Sequence, residues 1–477
     1  MTEPCDLSAV EARRLIGRKR LSALELVESC IARIEMTNGS VNAVVASNYE
    51  RARDEARAAT EMVMRGDPLP PLHGLPIGVK DLNNTEGLVT TYGSPLYRDH
   101  MPEKDERLVA ALRQAGGIVM AKTNTPEFGA GGNTRNEVYG VTRNPFDLER
   151  TCGGSSGGSA VAVATGMLPL CTGSDTGGSL RKPATYCGVA ALRPSSGVVP
   201  SDRRVVGLST FSVQGPMART VEDLGLMLSA MAGEDPIDPL SYPHDAAAFR
   251  DVPHVDLSGL RVAVSEDLGF APVDNGIRRT FRERLGLYQE SFQSCMARDP
   301  DMATAADVFW VLRGIYFVAT QKERYDNHKD QLGANVLFNT EAGLGMSMEQ
   351  VGWANAEHAT LCRNFQDYFS DIDLLICPGP AVPPFPLDLG APTEINGQKM
   401  EHYISASGVT AGLTLTGHPV VALPCGYDHT GTPFGIQIVG PRHRDRFVLG
   451  AARALEALFA QNEVLSRPIP DLSKLAA

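Results

Sequence analysis

Residues 153–183 read GGSSGGSAVAVATGMLPLCTGSDTGGSLRKP. Two glycine-serine loops, 153–159 and 173–179, bracket two apolar pieces. The small residues of 160–164 predict a short helix, and 168–172 predicts a buried strand. A helix and a strand joined by tight glycine turns form the repeating unit of an α/β sheet covered on both faces. The same texture continues outward. Residues 107–115 predict a helix and 118–121 a strand; 420–424 and 435–439 predict further core strands, and 446–459 a closing helix.

Toward the N-terminus, Ser22 and Glu25 form a capping-box signature. Leu24, Val27, Ile31 and Ile34 then recur at helical steps, and Asn38-Gly39 predicts the stop. Residues 41–46 predict a strand and 50–65 a charged, alanine-rich helix. Residues 1–66 are therefore read as a helical layer and 67–235 as the core that holds the glycine loops. Residues 236–370 are read as a variable, mainly helical, lid-like region, and 371–477 as the rest of the core. Around the start of this region 235–254 is rich in Pro and Asp, which predicts a surface excursion, and aromatics recur from Phe309 and Trp310 to Phe365 and Tyr368.

Of the 477 residues 43% are hydrophobic, and the formal net charge is -12. An acidic chain without a basic stripe repels phosphate backbones, so no nucleic-acid partner is expected. The polar start, with Glu3 and Asp6, lacks the pattern of a signal peptide. The most apolar stretch, 160–171, is too short to span a bilayer. The reading is a soluble cytoplasmic protein that does not contact membranes. Nine cysteines with no C-x-x-C pair predict reduced, mostly buried thiols, with neither a disulfide framework nor a zinc cluster.

Glycines this dense free the backbone amides to bind a developing oxyanion. A phosphate-binding or merely flexible loop is the plainer alternative, although neither loop carries the lysine of a P-loop or the G-x-G-x-x-G of a dinucleotide site. A third segment, Gly74-Leu75-Pro76-Ile77-Gly78-Val79-Lys80-Asp81, ends an apolar run on a lysine. Lys80 is either a solvated surface charge or, if buried, a base active near neutral pH.

Together, G-V-K-D, G-G-S-S-G-G-S and G-S-D-T-G-G-S-L-R-K-P resemble the amidase signature family. The resemblance continues through 188–194, 215–220, 417–419 and 431–437, and skips the helical middle. It implies one amidase signature domain over 1–477, built on a large mixed, mostly parallel twisted sheet. It implies Ser179 as nucleophile, Ser155 as bridging serine on a cis peptide, and Lys80 as base. The amides of Thr176, Gly177, Gly178 and Ser179 would form an oxyanion hole, Gly129 would contact substrate, and Asp175 and Arg181 would hold the loop by pairing. No metal and no cofactor are implied. The expected partner is a small-molecule amide, ester or carbamate, and family practice admits a homodimer.

The implied activity is amidohydrolase action on linear carboxamides, extending to aryl acylamidase or carbamate hydrolase (urethanase) chemistry. The alternatives are a glutamine amidotransferase A-type subunit of a complex and a non-catalytic family member. Within hydrolases, a histidine triad using His73 or His418, or a cysteine nucleophile at Cys152 or Cys187, competes with the Ser-Ser-Lys relay. Specificity is expected from 129–132, 203–210 and the helical middle.

Overall fold

The computed structural model describes residues 3–476. In chain order, the central sheet uses β1 (Val44–Ser47), β2 (Pro76–Lys80), β3 (Ile118–Thr123), β4 (Leu170–Asp175), β5 (Ala190–Arg193) and β6 (Val213–Ala218). It continues with β7 (Arg261–Val264), β8 (Ser294–Ala297), β9 (Leu374–Pro378), β10 (Val420–Tyr427) and β11 (Pro433–Val439). These eleven strands lie in the order β1-β3-β2-β4-β6-β5-β10-β11-β9-β7-β8. Every residue of β2, β3, β9 and β11 is buried. Successive side chains of a strand point to opposite faces, so both faces of the sheet are covered.

The mixed α/β sheet is as expected, but its parallel share is smaller than expected. Only β2/β3, β2/β4, β7/β8 and β7/β9 run parallel. The six other neighbouring pairs are antiparallel. The reason is local for β10 and β11. They form a hairpin whose turn is held by Asp428, which accepts from the amides of Thr430 and Thr432. A hairpin needs no crossover helix.

Local signals place the N-terminal elements. Ser22 Oγ accepts from the Glu25 amide, and the Glu25 carboxylate accepts from the Ser22 amide, starting helix Ala23–Val41. The helix passes Asn38-Gly39 and stops at Asn42, which takes the left-handed conformation at φ 52°. Asn38 still punctuates the chain: its Oδ1 accepts from the amides of Ala43 and Val44. The helical middle comprises Asn275–Leu285, Ala305–His328, Ala334–Leu344 and Met348–Tyr368, interrupted by the edge strand β8. Residues 235–254 hold only a short 3-10 turn, Ala246–Arg250. Seven of the nine cysteines are buried. Among the described residues no helix is long and apolar enough to cross a membrane.

The parallel neighbours β2 and β4 bring their carboxyl ends to the same edge of the sheet, with Gly78 opposite Cys171. A Cβ at Gly78 would lie 2.6 Å from Leu168 Cδ1 and 2.8 Å from Cys171 Sγ, so only glycine allows this approach. The sheet itself rests on apolar burial. Ile436, in β11 opposite Leu423 and Pro378, is fully buried. Replacing it with alanine is expected to cost about 2–5 kcal/mol, read as a lower urea midpoint.

Candidate active site

Lys80 closes β2 and is 0% exposed. Its Nζ donates to Ser155 Oγ at 2.7 Å, Ser156 Oγ at 2.9 Å and Ser174 Oγ at 3.0 Å. The three acceptors are neutral hydroxyls. Burial therefore drives the Lys80 pKa from its ordinary value down to about 7, against the opposing pull of Asp175. The sequence carries no signal for the parts that Ser156 and Ser174 play; these depend on β2 and β4 being neighbours, which no local pattern encodes.

Ser155 is buried, follows a cis peptide from Gly154, and sits just before helix Gly157–Ala164. The Ser156 amide donates to the Ser179 carbonyl at 3.1 Å, which ties the two glycine loops together. Ser179 Oγ has no hydrogen-bond partner among the described residues. Lys80 and Ser155 are thus in direct contact, while the link from Ser155 to Ser179 is not made in this resting geometry. Such bonds often tighten only when substrate binds.

Asp175 organises the second loop. Its Oδ1 accepts from the Gly178 amide at 2.9 Å and its Oδ2 from the Leu180 amide at 3.2 Å. Arg181 grips the same carboxylate through Nε at 3.0 Å and Nη2 at 2.9 Å, and Arg193 Nη1 adds a contact at 3.1 Å. All three side chains are fully buried. Burial alone would raise the Asp175 pKa, but the two guanidiniums hold it well below the usual carboxylate range. Because Asp175 occupies the Gly178 amide, the amides left without a protein acceptor among the described residues are those of Thr176, Gly177 and Ser179. Gly178 itself sits at φ 113°, and a Cβ there would meet Thr410 Oγ1 at 2.3 Å.

A cavity of about 540 Å³ opens onto this edge and reaches Gly129, Ser155, Ser174 and Thr176. Gly129, at φ 73°, faces Ser155: a Cβ there would lie 3.4 Å from Ser155 Oγ. The cavity is lined along one side by helix Ala305–His328, which contributes Arg313, Phe317 and Arg324. The loop residues Arg203 and Arg204 also line it.

The rival residues lie in other surroundings. His418 stacks on Phe369 and its Nδ1 lies 3.0 Å from the Thr416 carbonyl, and burial lowers its pKa to about 4. His73 contacts the Ala59 carbonyl through Nε2. Neither ring hydrogen-bonds a serine among the described residues. Cys152 donates to the Thr142 carbonyl, and burial raises its pKa to about 12. Burial also raises that of Cys187 well above the usual thiol range. Both thiols are therefore poor thiolates.

The Asp175 cluster also carries a stability prediction. Removing the carboxylate in Asp175→Ala leaves Arg181 and Arg193 buried without a counter-charge. A loss of about 3–5 kcal/mol is expected, read by chemical denaturation.

Comparison with known proteins fits this geometry. The Amidase family model matches residues 25–449. An acylamidase of Rhodococcus erythropolis is 33% identical over 456 residues, covering 95% of each chain. The A-type subunit of the glutamyl-tRNA(Gln) amidotransferase of Roseiflexus castenholzii is 31% identical, covering 92% of this chain and 93% of its own. Among solved structures, a bacterial aryl acylamidase of the amidase signature family superposes with a TM-score of 0.87 at 28% identity, covering 94% of this chain and 96% of its own. The chain belongs to the amidase signature family.

Proposed function

We propose that this protein hydrolyses carboxamide C–N bonds through an acyl-enzyme on Ser179, with Ser155 and Lys80 as the proton relay. The observation that carries this reading is the fully buried Lys80 ammonium, 2.7 Å from Ser155 Oγ with only hydroxyl neighbours. A lysine held there near neutrality is available as a base at physiological pH.

The steps follow from proton bookkeeping. Neutral Lys80 accepts the Ser155 proton as Ser155 accepts that of Ser179. Ser179 Oγ bonds to the carbonyl carbon, and the oxyanion is met by the amides of Thr176, Gly177 and Ser179. The proton returns through Ser155 to the amide nitrogen, the C–N bond breaks, and the amine leaves. Water then gives a proton to the same relay as its oxygen bonds to the acyl carbon, the bond from that carbon to Ser179 Oγ breaks, the proton returns to Ser179, and the acid leaves. Preorganised amides of this kind are each worth about 3–4 kcal/mol of transition-state stabilisation.

Aryl amides are the first substrates to try, because the acylamidase relatives share nearly the whole chain and the cavity pairs apolar Phe128 and Phe317 with polar groups. Aryl carbamates and esters present the same carbonyl to the same loop and belong on the same panel. A second reading, a glutamine-dependent amidotransferase component, is supported by relatives at 31–32% identity. It ranks below the hydrolase because the acylamidase is the nearer of the two in sequence, at 33%. Glutamine-dependent ammonia release that requires a co-purifying partner would reverse the order. The nine free cysteines suit a reducing, cytoplasmic setting.

Two measurements test the relay. Ser179→Ala is expected to abolish turnover and labelling by a fluorophosphonate; retained turnover would overturn the assignment. The base must be neutral to act, so kcat/KM should rise with pH to a plateau above about 7 and fall about tenfold per pH unit below it. A flat profile down to about pH 5, with chemistry rate-limiting, would exclude Lys80 as the base.

A further inference from the structure

Four guanidinium groups line the cavity, and they are not equivalent. Arg204 pairs with Asp238 through two bonds, at 2.7 and 2.9 Å. Arg203 reaches Glu106 at 3.3 Å. Arg313 and Arg324 form no ion pair with a carboxylate among the described residues. Arg324 is nonetheless occupied: it donates to Tyr97 Oη, the Thr320 carbonyl and Gln321 Oε1, and lies over the Phe128 ring. Glu127, the carboxylate whose field Arg324 shares, accepts from Ser94 Oγ and the Gly333 amide instead.

Arg313, like Arg324, is held only by neutral groups and lies over a ring, that of Phe317 at 4.7 Å, but it is the more deeply buried of the two. It is more than nine-tenths buried, at 8% exposure, yet it borders the cavity. Nε donates to Asn339 Oδ1 at 2.7 Å and Nη2 to Tyr403 Oη at 2.8 Å. Nη1 has no acceptor among the described residues. A buried cation held only by neutral partners is costly unless an anion joins it. Lys182 adds to the imbalance. Burial and the charge of Arg313 lower its pKa to about 8, and its Nζ forms no ion pair among the described residues.

Both cations flank the reacting loop. Lys182 follows Ser179 by three residues, and its amide donates to the Gly178 carbonyl. Phe309 packs on Gly177, where a Cβ would meet its ring at 2.9 Å. Arg313 is one helical turn beyond Phe309, or about 6 Å along the axis. Arg313 and Thr176 line the same cavity, so an anion on Arg313 and a carbonyl held at that loop share it.

We propose that the substrate is an amide bearing a carboxylate a few bonds from the scissile carbonyl, with Arg313 as the binding residue that selects it. This rests on the hydrolase reading of Ser179 and adds the substrate's charge. The guanidinium offers Nη1 to one carboxylate oxygen while Asn339 and Tyr403 fix its plane. Lys182 contributes field without a direct bond.

Matched substrate pairs test it. Glutaryl 4-nitroanilide is compared with its uncharged isostere 5-methylhexanoyl 4-nitroanilide, and N-butyryl-4-aminobenzoate with N-butyryl-4-isopropylaniline. The first pair places the carboxylate on the acyl side and the second on the amine side. In at least one pair the anionic member should win by about tenfold or more in kcat/KM, the scale of a charge-assisted hydrogen bond. In Arg313→Met that ratio should collapse toward one, mainly through KM, and Arg313→Lys should restore part of it. A ratio is independent of the fraction of active enzyme, so partial misfolding does not mimic the result. Ratios near one in both pairs, or ratios unchanged in Arg313→Met, overturn the proposal while leaving the hydrolase reading intact. If no amide is turned over, calorimetric binding to Ser179→Ala decides. Tighter binding of the anionic members upholds the anion site although the hydrolase reading fails, and equal binding overturns both.

Discussion

One carboxylate, that of Asp175, is the constraint on which the reacting edge depends. It ends β4, accepts two amides of its own loop, and pairs with two buried arginines. Those arginines extend its reach. Arg181 also donates to the Thr410 carbonyl, Thr414 Oγ1 and Gln437 Oε1, and Arg193 to the carbonyls of Thr210 and Phe211. A single buried charge thus fixes the loop to β11, to the helix Gly408–Thr416 and to the cavity wall. The shape of the amide cluster follows from this network and not from loop stiffness; the glycines only permit it.

Lys80 presents the opposite electrostatic case within the same edge. Asp175 is given more positive charge than it can share, and stays ionised. Lys80 is given none of the opposite sign in contact, only three hydroxyls, and is brought close to neutrality. The neighbouring Lys122 is a buried lysine with a carboxylate beside it. It faces Asp81 at 3.8 Å and donates to Thr85 and Thr90 hydroxyls. Burial lowers its pKa too, but only to about 8, because Asp81 pulls the other way. The two lysines lie on adjacent parallel strands, and a carboxylate in contact distinguishes their surroundings.

Much of this is legible in the sequence because it is locally encoded. The capping box at Ser22 and Glu25, the two glycine loops and the apolar run to Lys80 each depend on residues within a few positions. What the sequence hides is non-local or competitive. The helix overruns Asn38-Gly39 because Asn42 supplies the left-handed stop two residues beyond Ser40. Apart from the β10/β11 hairpin, the antiparallel share of the sheet is hidden because strand direction depends on partners farther along the chain. Ser156 and Ser174 meet Lys80 only through the adjacency of β2 and β4. Arg313 escapes notice for another reason: its helix reads as an aromatic stripe. Yet Arg313, Phe317, Gln321 and Arg324 recur at steps of four, four and three and share the cavity. Helical spacing applied to charges as well as to rings picks out that face.

The partners of Arg181 also bear on how the molecule is made. Its contacts at Thr410, Thr414 and Gln437 lie 229 to 256 positions downstream. During synthesis the chain emerges from its N-terminus at about 5–20 residues per second. Lys80, Ser155 and Ser179 are all exposed to the medium well before Gln437 is translated. The guanidinium that sets the loop has no finished pocket until then, and such distant pairings form late because of the chain entropy they must overcome. The edge that holds Lys80, Ser155 and Ser179 is therefore completed near the end of folding, and a nascent chain carries these side chains without the frame that orients them.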